Sequence, residues 1–246
     1  MLILGVDIET GASFDKGVSE NFITEIGAAV FDTNYNQPVK MFSTIVDEEG
    51  FDVIAPEAEI YTGIPQSMRD KYGIDGKSAC EGLREITLGC DYYMAHNGLK
   101  FDIPILKQSF ERYGVEWVDL VCIDSQHHVP YPDRFKKSLG ALANAHLTMN
   151  PFPHRALADV LTMFNIIFPP KREEYNLAKI VQYAKEPKYL VKAETSYAKR
   201  EQAKKAAFFW DPKEGEKGAW LKEMSEQQIK DRENSLPFRM TILRKV

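Results

Sequence analysis

Five side chains at three places in this sequence have the types and spacing for chemistry. Asp7 and Glu9 are one residue apart in V-D-I-E-T. In an extended chain, residues i and i+2 point to one face, so the two carboxylates stand side by side. On a buried strand they repel each other and lose hydration. A divalent cation relieves both costs, because carboxylate oxygens are the preferred ligands of Mg²⁺ and Mn²⁺. Asp102 follows the run A-H-N-G-L-K-F and opens a helix, where by itself it would only favour the positive end of the helix dipole. His154 and Asp159 are five residues apart at the start of another helix, with Asp159 projecting towards the sheet and His154 on the entry before it. Together these are four carboxylates and one imidazole. Such a cluster can hold two cations roughly 3.5–4 Å apart, clamping the attacking and leaving oxygens of a phosphodiester. The imidazole adds a base near neutral pH for an attacking water.

The surrounding pattern supplies elements that end or begin at these residues. Residues 1–7 are a short apolar run bounded by charge, as in a buried strand. The runs 22–31 and 40–46 continue it as an antiparallel meander. Helical spacing is present at 78–88 and 101–113, with short strands at 92–95 and 120–124. A short helix at 138–145 has Ser138 as its expected N-cap, and a helix at 154–167 carries Leu157, Val160, Leu161, Phe164 and Ile167. This order predicts an α/β fold, a mixed sheet flanked by helices. Phe168-Pro169-Pro170 stops the last helix, so the domain boundary is placed there, giving domains 1–170 and 171–246.

The second part reads as a small α+β module. A short helix at 176–184 precedes a strand at 189–195, a basic helix at 199–206, and strands at 208–210 and 219–224. A polar helix at 225–234 follows, with Ser225 and Gln228 in capping-box spacing, and a strand at 238–243 closes the module. Phe208, Trp210 and Trp220 are expected to form its core. Lys199, Arg200, Lys204 and Lys205 either solvate the basic helix or meet phosphates, and aromatics left exposed would stack on bases.

Composition sets outer bounds. The chain has 246 residues, 44% hydrophobic and 27% charged, which excludes collagen-like, coiled-coil and wholly disordered classes. No stretch approaches 18 apolar residues, and the first residues lack the basic flank and long apolar run of a signal peptide. A cytoplasmic protein without a membrane partner is therefore expected. Three cysteines, Cys80, Cys90 and Cys122, without C-x-x-C spacing, argue against a disulfide framework or a cysteine zinc site. His127 and His128 read as loop residues. Residues 171–246 carry 18 Lys and Arg against 12 Asp and Glu, whereas 1–170 carry 13 against 24, so a net −5 splits into +6 and −11. That asymmetry means either an anionic partner gripped by the tail or two differently solvated surfaces.

The motifs resemble those of the DEDDh family of 3′–5′ exonucleases, which includes the proofreading subunits of bacterial replicative polymerases. V-D-I-E-T is similar to the family's first motif, I-T-E-I-G-A-A-V from Ile23 to its second strand, A-H-N-G-L-K-F-D to its second motif, and H-R-A-L-A-D to its third. Y-T-G-I from Tyr61 resembles the segment that often lies against the terminal nucleotide. The likeness covers about residues 1–168, and the His five residues before Asp159 points to the His subtype. It implies a ribonuclease H-like mixed five-stranded sheet flanked by helices. It implies that Asp7, Glu9 and Asp159 hold one of two Mg²⁺ or Mn²⁺ ions, that Asp7 bridges to the second, and that Asp102 reaches the second directly or through water. His154 would be the general base, and Thr10, Ile64, Asn97 and Phe101 would contact the 3′-terminal nucleotide. The implied partner is a nucleic acid with a free 3′ end, DNA before RNA, with replication or repair proteins as possible partners. The alternatives are a 3′–5′ exoribonuclease, and a non-catalytic nucleic-acid-binding or polymerase-associated subunit. The chain departs from the family after the first motif, running E-T-G-A-S-F-D-K-G where E-T-T-G is usual. Its C-terminal part, around F-F-W-D and G-A-W-L, resembles the small module of exodeoxyribonuclease X-like proteins.

Overall fold

A computed structural model describes residues 1–12, 21–51, 53–169, 175–213 and 218–246. The chain forms two compact units, 1–129 with 137–175, and 130–136 with 176–246. The boundary expected after Pro170 lies outside the described residues. Nothing in the sequence announced that 130–136 would join the second unit.

In the first unit, β1 (Leu2–Thr10), β2 (Ile23–Asp32) and β3 (Gln37–Asp47) form the antiparallel meander. Two short helices follow, α1 (Pro56–Thr62) and α2 (Gln66–Tyr72), then β4 (Ile74–Asp75) and α3 (Gly76–Thr87). The rest is β5 (Tyr92–Ala95), α4 (Asp102–Tyr113), β6 (Cys122–Asp124), α5 (Ser125–His128), α6 (Leu139–Ala145) and α7 (Ala156–Ile167). The sheet order is β4-β3-β2-β1-β5-β6, with β5 parallel to β1 and β6 parallel to β5. It is thus mixed and flanked by helices. The five expected strands gain a sixth, the two-residue β4, which pairs parallel with the end of β3. The helices α1 and α2 were not read from the sequence: α1 buries only Ala58 and Thr62 and α2 only Arg69, so neither carries an apolar stripe. Ser138 occupies the N-cap position of α6 but makes no side-chain cap bond, contrary to expectation.

Every residue of β2 except Asp32 is buried, because helices cover both faces of the sheet. In β1 the even residues Leu4, Val6 and Ile8 enter one core with Leu83 of α3 and with Ile105, Leu106 and Phe110 of α4. The odd residues face α7. Gly5 lies against Phe164 and Val160, where a Cβ would stand 2.5 Å and 2.7 Å from their side chains. Gly27, the antiparallel partner of Asp7, meets the α7 backbone directly: a Cβ there would stand 2.1 Å from the Leu157 amide nitrogen. Two glycines therefore let the first turn of α7 approach the strand that carries the paired acids.

The second unit contains α8 (Leu177–Lys185), β7 (Lys188–Glu194), a 3₁₀ turn (Tyr197–Lys199), α9 (Arg200–Lys205), β8 (Phe209–Asp211), β9 (Ala219–Ser225), α10 (Glu226–Arg232) and β10 (Arg239–Lys245). Its antiparallel sheet has the order β10-β7-β9-β8. Ser225 and Gln228 form the expected capping box. Val191, Ala193, Ala203, Phe208 and Met224 make the core, with Trp220 partly buried against it. Trp210 departs from expectation: it is 44% exposed, because β8 is an edge strand and nothing among the described residues covers its end.

Candidate active site

Asp7, Glu9 and Asp159 converge, each offering a carboxylate oxygen within 4.8 Å of the others. The alternation of β1 turns Asp7 and Glu9 to the α7 side, and the close approach at Gly27 brings Asp159, in the first turn of α7, to meet them. Glu25, opposite Glu9 on β2 and 2% exposed, fixes this approach. It accepts from Arg155 Nε at 3.0 and 3.1 Å, from Arg155 Nη2 at 2.7 Å, and from the Ala156 amide at 3.0 Å. One carboxylate thus pairs a guanidinium and satisfies an orphan amide at a helix N-terminus. Asp159 is oriented in turn by Asn150, whose Nδ2 donates to Oδ1 at 2.5 Å, and by the His154 amide, which donates to Oδ2 at 3.3 Å.

Asp102 is placed differently. It is buried and begins α4, and its Oδ1 accepts the Ile8 amide at 3.0 Å. The fourth acid therefore grips β1 between the first two. The turn before it runs from Asn97, in the left-handed region at φ 64°, through Gly98, where a Cβ would collide with Ala95 at 2.3 Å. Asp124, wholly buried at the end of β6, ties this turn down. It accepts from the amides of Asn97 at 3.1 Å, Leu99 at 3.3 Å and Gln126 at 2.9 Å. His96 is bracketed by Ser125 Oγ and the Lys137 carbonyl, each at 2.8 Å, and burial lowers its pKa. His128 is buried, with Nδ1 accepting the Asp124 amide at 2.9 Å, so its ring packs as a structural support.

Electrostatically the cluster is under stress. Burial, then repulsion from Asp159, Glu25 and Asp102, pushes Glu9 up to about 8. Burial and the neighbouring carboxylates raise Asp7 well above the carboxylate range. Burial pushes Asp102 to about 7 even though the Ile8 amide opposes the shift. Asp159 is raised by burial and partly relieved by Asn150. Oxygen donors packed this closely, with Arg155 committed to Glu25, are the donor set of a hard divalent cation. The three cysteines are buried, with burial raising the thiol pKa of each, and serve the core.

His154 precedes α7, with its backbone at φ 63° and its ring packed against Tyr61, 3.9 Å between centroids and tilted by 39°. Tyr61 is half-exposed, and its phenol is raised by partial burial and by the negative charges of Glu9, Asp159 and Asp7. Thr10 ends β1 at a register shift and is half-buried. Asn97 and Phe101 are half-buried on the turn before Asp102. Ile64, expected at the terminal nucleotide, is instead fully buried among Phe22, Ile45, Ile54 and Ala58, because the chain folds it under α1. Glu25, Asp124, Asn150 and Tyr61 were not singled out individually from sequence. The partner through which each bears on the site is more than eight residues away, so no local spacing marks that role.

A family model described as Exonuclease (RNase_T) matches residues 4–167, and one described as a domain of unknown function (DUF8626) matches residues 189–243. No curated protein sequence matches. Among solved structures, apo exonuclease I aligns with a TM-score of 0.61 at 14% identity, over 98% of this chain and 62% of that one. Escherichia coli exonuclease I in complex with a dT13 oligonucleotide aligns with a TM-score of 0.59 at 16% identity, over 78% and 48%. The zinc-bound E. coli exonuclease I–single-stranded DNA complex aligns with a TM-score of 0.56 at 17% identity, over 74% and 40%. This chain thus spans about half the length of the two E. coli structures, and the likeness is one of fold. With the family model covering most of the first unit and all four acids inside it, the chain belongs to the exonuclease family.

Proposed function

We propose that this protein is a two-metal 3′–5′ exonuclease that shortens DNA from its 3′ end, releasing nucleoside 5′-monophosphates. The observation that carries the reading is the convergence of Asp7, Glu9 and Asp159 on one side of β1, with Asp102 gripping the same strand. Asp7, Glu9 and Asp159 would hold one Mg²⁺ or Mn²⁺, and Asp7 and Asp102 would serve a second. Such ions supply charge neutralisation at a phosphodiester and a more acidic water. The chain's own groups do the rest. The His154 imidazole takes the proton of the attacking water. Tyr61 packs against that ring and limits its rotation, while the His154 amide is bonded to Asp159. Thr10, Asn97 and Phe101 lie on the two segments that end at the acids, and they would orient the terminal nucleotide. The association of related folds with single-stranded DNA favours DNA as substrate.

The test uses 5′-labelled single-stranded DNA, duplex DNA and matching RNA with Mg²⁺ or Mn²⁺, with EDTA and Asp7→Ala as controls. A ladder of 5′-labelled DNA shortened from the 3′ end and lost in both controls is the expected result. Preferential shortening of RNA would replace DNA as the substrate. Binding without cleavage under every condition would leave a non-catalytic module. His154→Ala should lower kcat by about 10²–10⁴-fold while Mn²⁺ binding by calorimetry is kept, as for loss of a general base.

A further inference from the structure

We infer that the second unit carries a single-stranded DNA-binding surface, built on the Trp210–Trp220 pair beside α9. This rests on the exonuclease reading above and assigns the unit a task in it: retaining the strand during digestion. Trp210 and Trp220 are opposite one another in the antiparallel β8–β9 pair, with ring centroids 5.4 Å apart. Trp220 is anchored against the core, whereas Trp210 keeps 44% of its surface in solvent. The Trp210 ring rests on Gly218, which has φ 73° and where a Cβ would stand 2.4 Å from the indole. Trp210 is thus a large aromatic on an edge strand, backed by the Gly218 backbone and partly open to solvent, a form on which a base can stack.

The charge beside it fits a polyanion. Lys204 Nζ is 6.0 Å from the Trp220 ring centroid and 3.1 Å from Glu201 on the same helix, an exposed pair that a phosphate would compete for, and Lys205 is exposed with no ion pair among the described residues. The unit as a whole holds 18 Lys and Arg against 11 Asp and Glu, in a chain whose net charge is −5. An acidic peptide would satisfy the lysines and leave the exposed indole unused. A single strand uses both, with bases on the ring faces and phosphates on the ammonium groups.

The experiment measures anisotropy of a 5′-fluorescent dT20 with the 246-residue protein in EDTA, so that binding is read without hydrolysis. Trp210→Ala is expected to weaken binding by about tenfold or more, and Trp210→Phe to stay within about twofold, as stacking requires. Turnover of the p-nitrophenyl ester of thymidine 5′-monophosphate in Mg²⁺ reports the acidic site alone, and Trp210→Ala should leave it unchanged. Equal dT20 affinity of Trp210→Ala and the unmodified protein would overturn the inference. So would an equal loss in Trp210→Phe, tighter Trp210-dependent binding of rU20, or displacement of dT20 by an acidic peptide. If the unmodified protein fails to shorten DNA, the exonuclease reading falls, while the anisotropy series still decides the surface.

Discussion

At the scale of single residues, the site is a set of acids held where they repel. Glu9 at about 8 and Asp102 at about 7 are raised above their ordinary values, so the folded protein binds their protons more tightly than the unfolded chain does. Their contribution to stability is therefore fully present below about pH 4 and lost as pH rises through 7 to 8. Without metal, the melting temperature should fall across that window, and Mg²⁺ should restore it most at the alkaline end. A melting series in EDTA and in Mg²⁺ from pH 5 to 8.5 checks this. Glu9→Gln removes one charge from the cluster. It should raise the metal-free melting temperature at pH 8.5 by about 3 °C or more, since a pKa unit is about 1.4 kcal/mol. The same change should abolish the gain from Mg²⁺ and the nuclease activity.

At the scale of elements, the acids meet because β1, α7 and the turn before α4 cannot slide. Gly27→Ala would drive a Cβ into the α7 backbone, which cannot yield as a side chain does. The expected cost is about 1–3 kcal/mol, with a displaced Asp159 and Mn²⁺ affinity lowered by about tenfold or more. Denaturant unfolding and calorimetry read the two effects separately. Asp124→Ala strips an acceptor from three amides in a dry site and should cost about 3 kcal/mol. Asp102 would then lose its fixed turn. Asp124→Asn retains one oxygen and should recover part of both stability and kcat, an ordering that a purely volumetric defect would not produce.

At the scale of the whole molecule, charge is divided between two units. The acidic unit bears the carboxylate cluster, and the basic one bears the surface proposed for single-stranded DNA. Affinity for single-stranded DNA should fall steeply with salt, because each phosphate neutralised on a single strand adds about 0.7 to the slope of log K against log salt. Charge reversal at Lys204 and Lys205 should lower that slope by about 1.4 while leaving the melting temperature within about 2 °C. Titrations at several salt concentrations distinguish this from a loss of fold.

Much of this protein was legible in its linear order. Period-two alternation put Asp7 and Glu9 on one face, a helix start carried Asp102, and five-residue spacing set His154 against Asp159, because each of these is a local geometric relation. The same locality made the meander, the principal helices and the Ser225 capping box readable. Residues that act across the fold had no such mark. Glu25 meets Arg155 130 positions away, and Asp124 holds amides 27 and 25 positions before it. Gly27 matters only because a helix backbone arrives there. Burial likewise belongs to the tertiary structure: it hides Ile64, leaves Trp210 exposed, and raises the pKa values of the acids. Residue type and spacing determined which groups can react; packing alone decided how closely they stand and how dry their surroundings are, since both depend on chain segments distant in sequence.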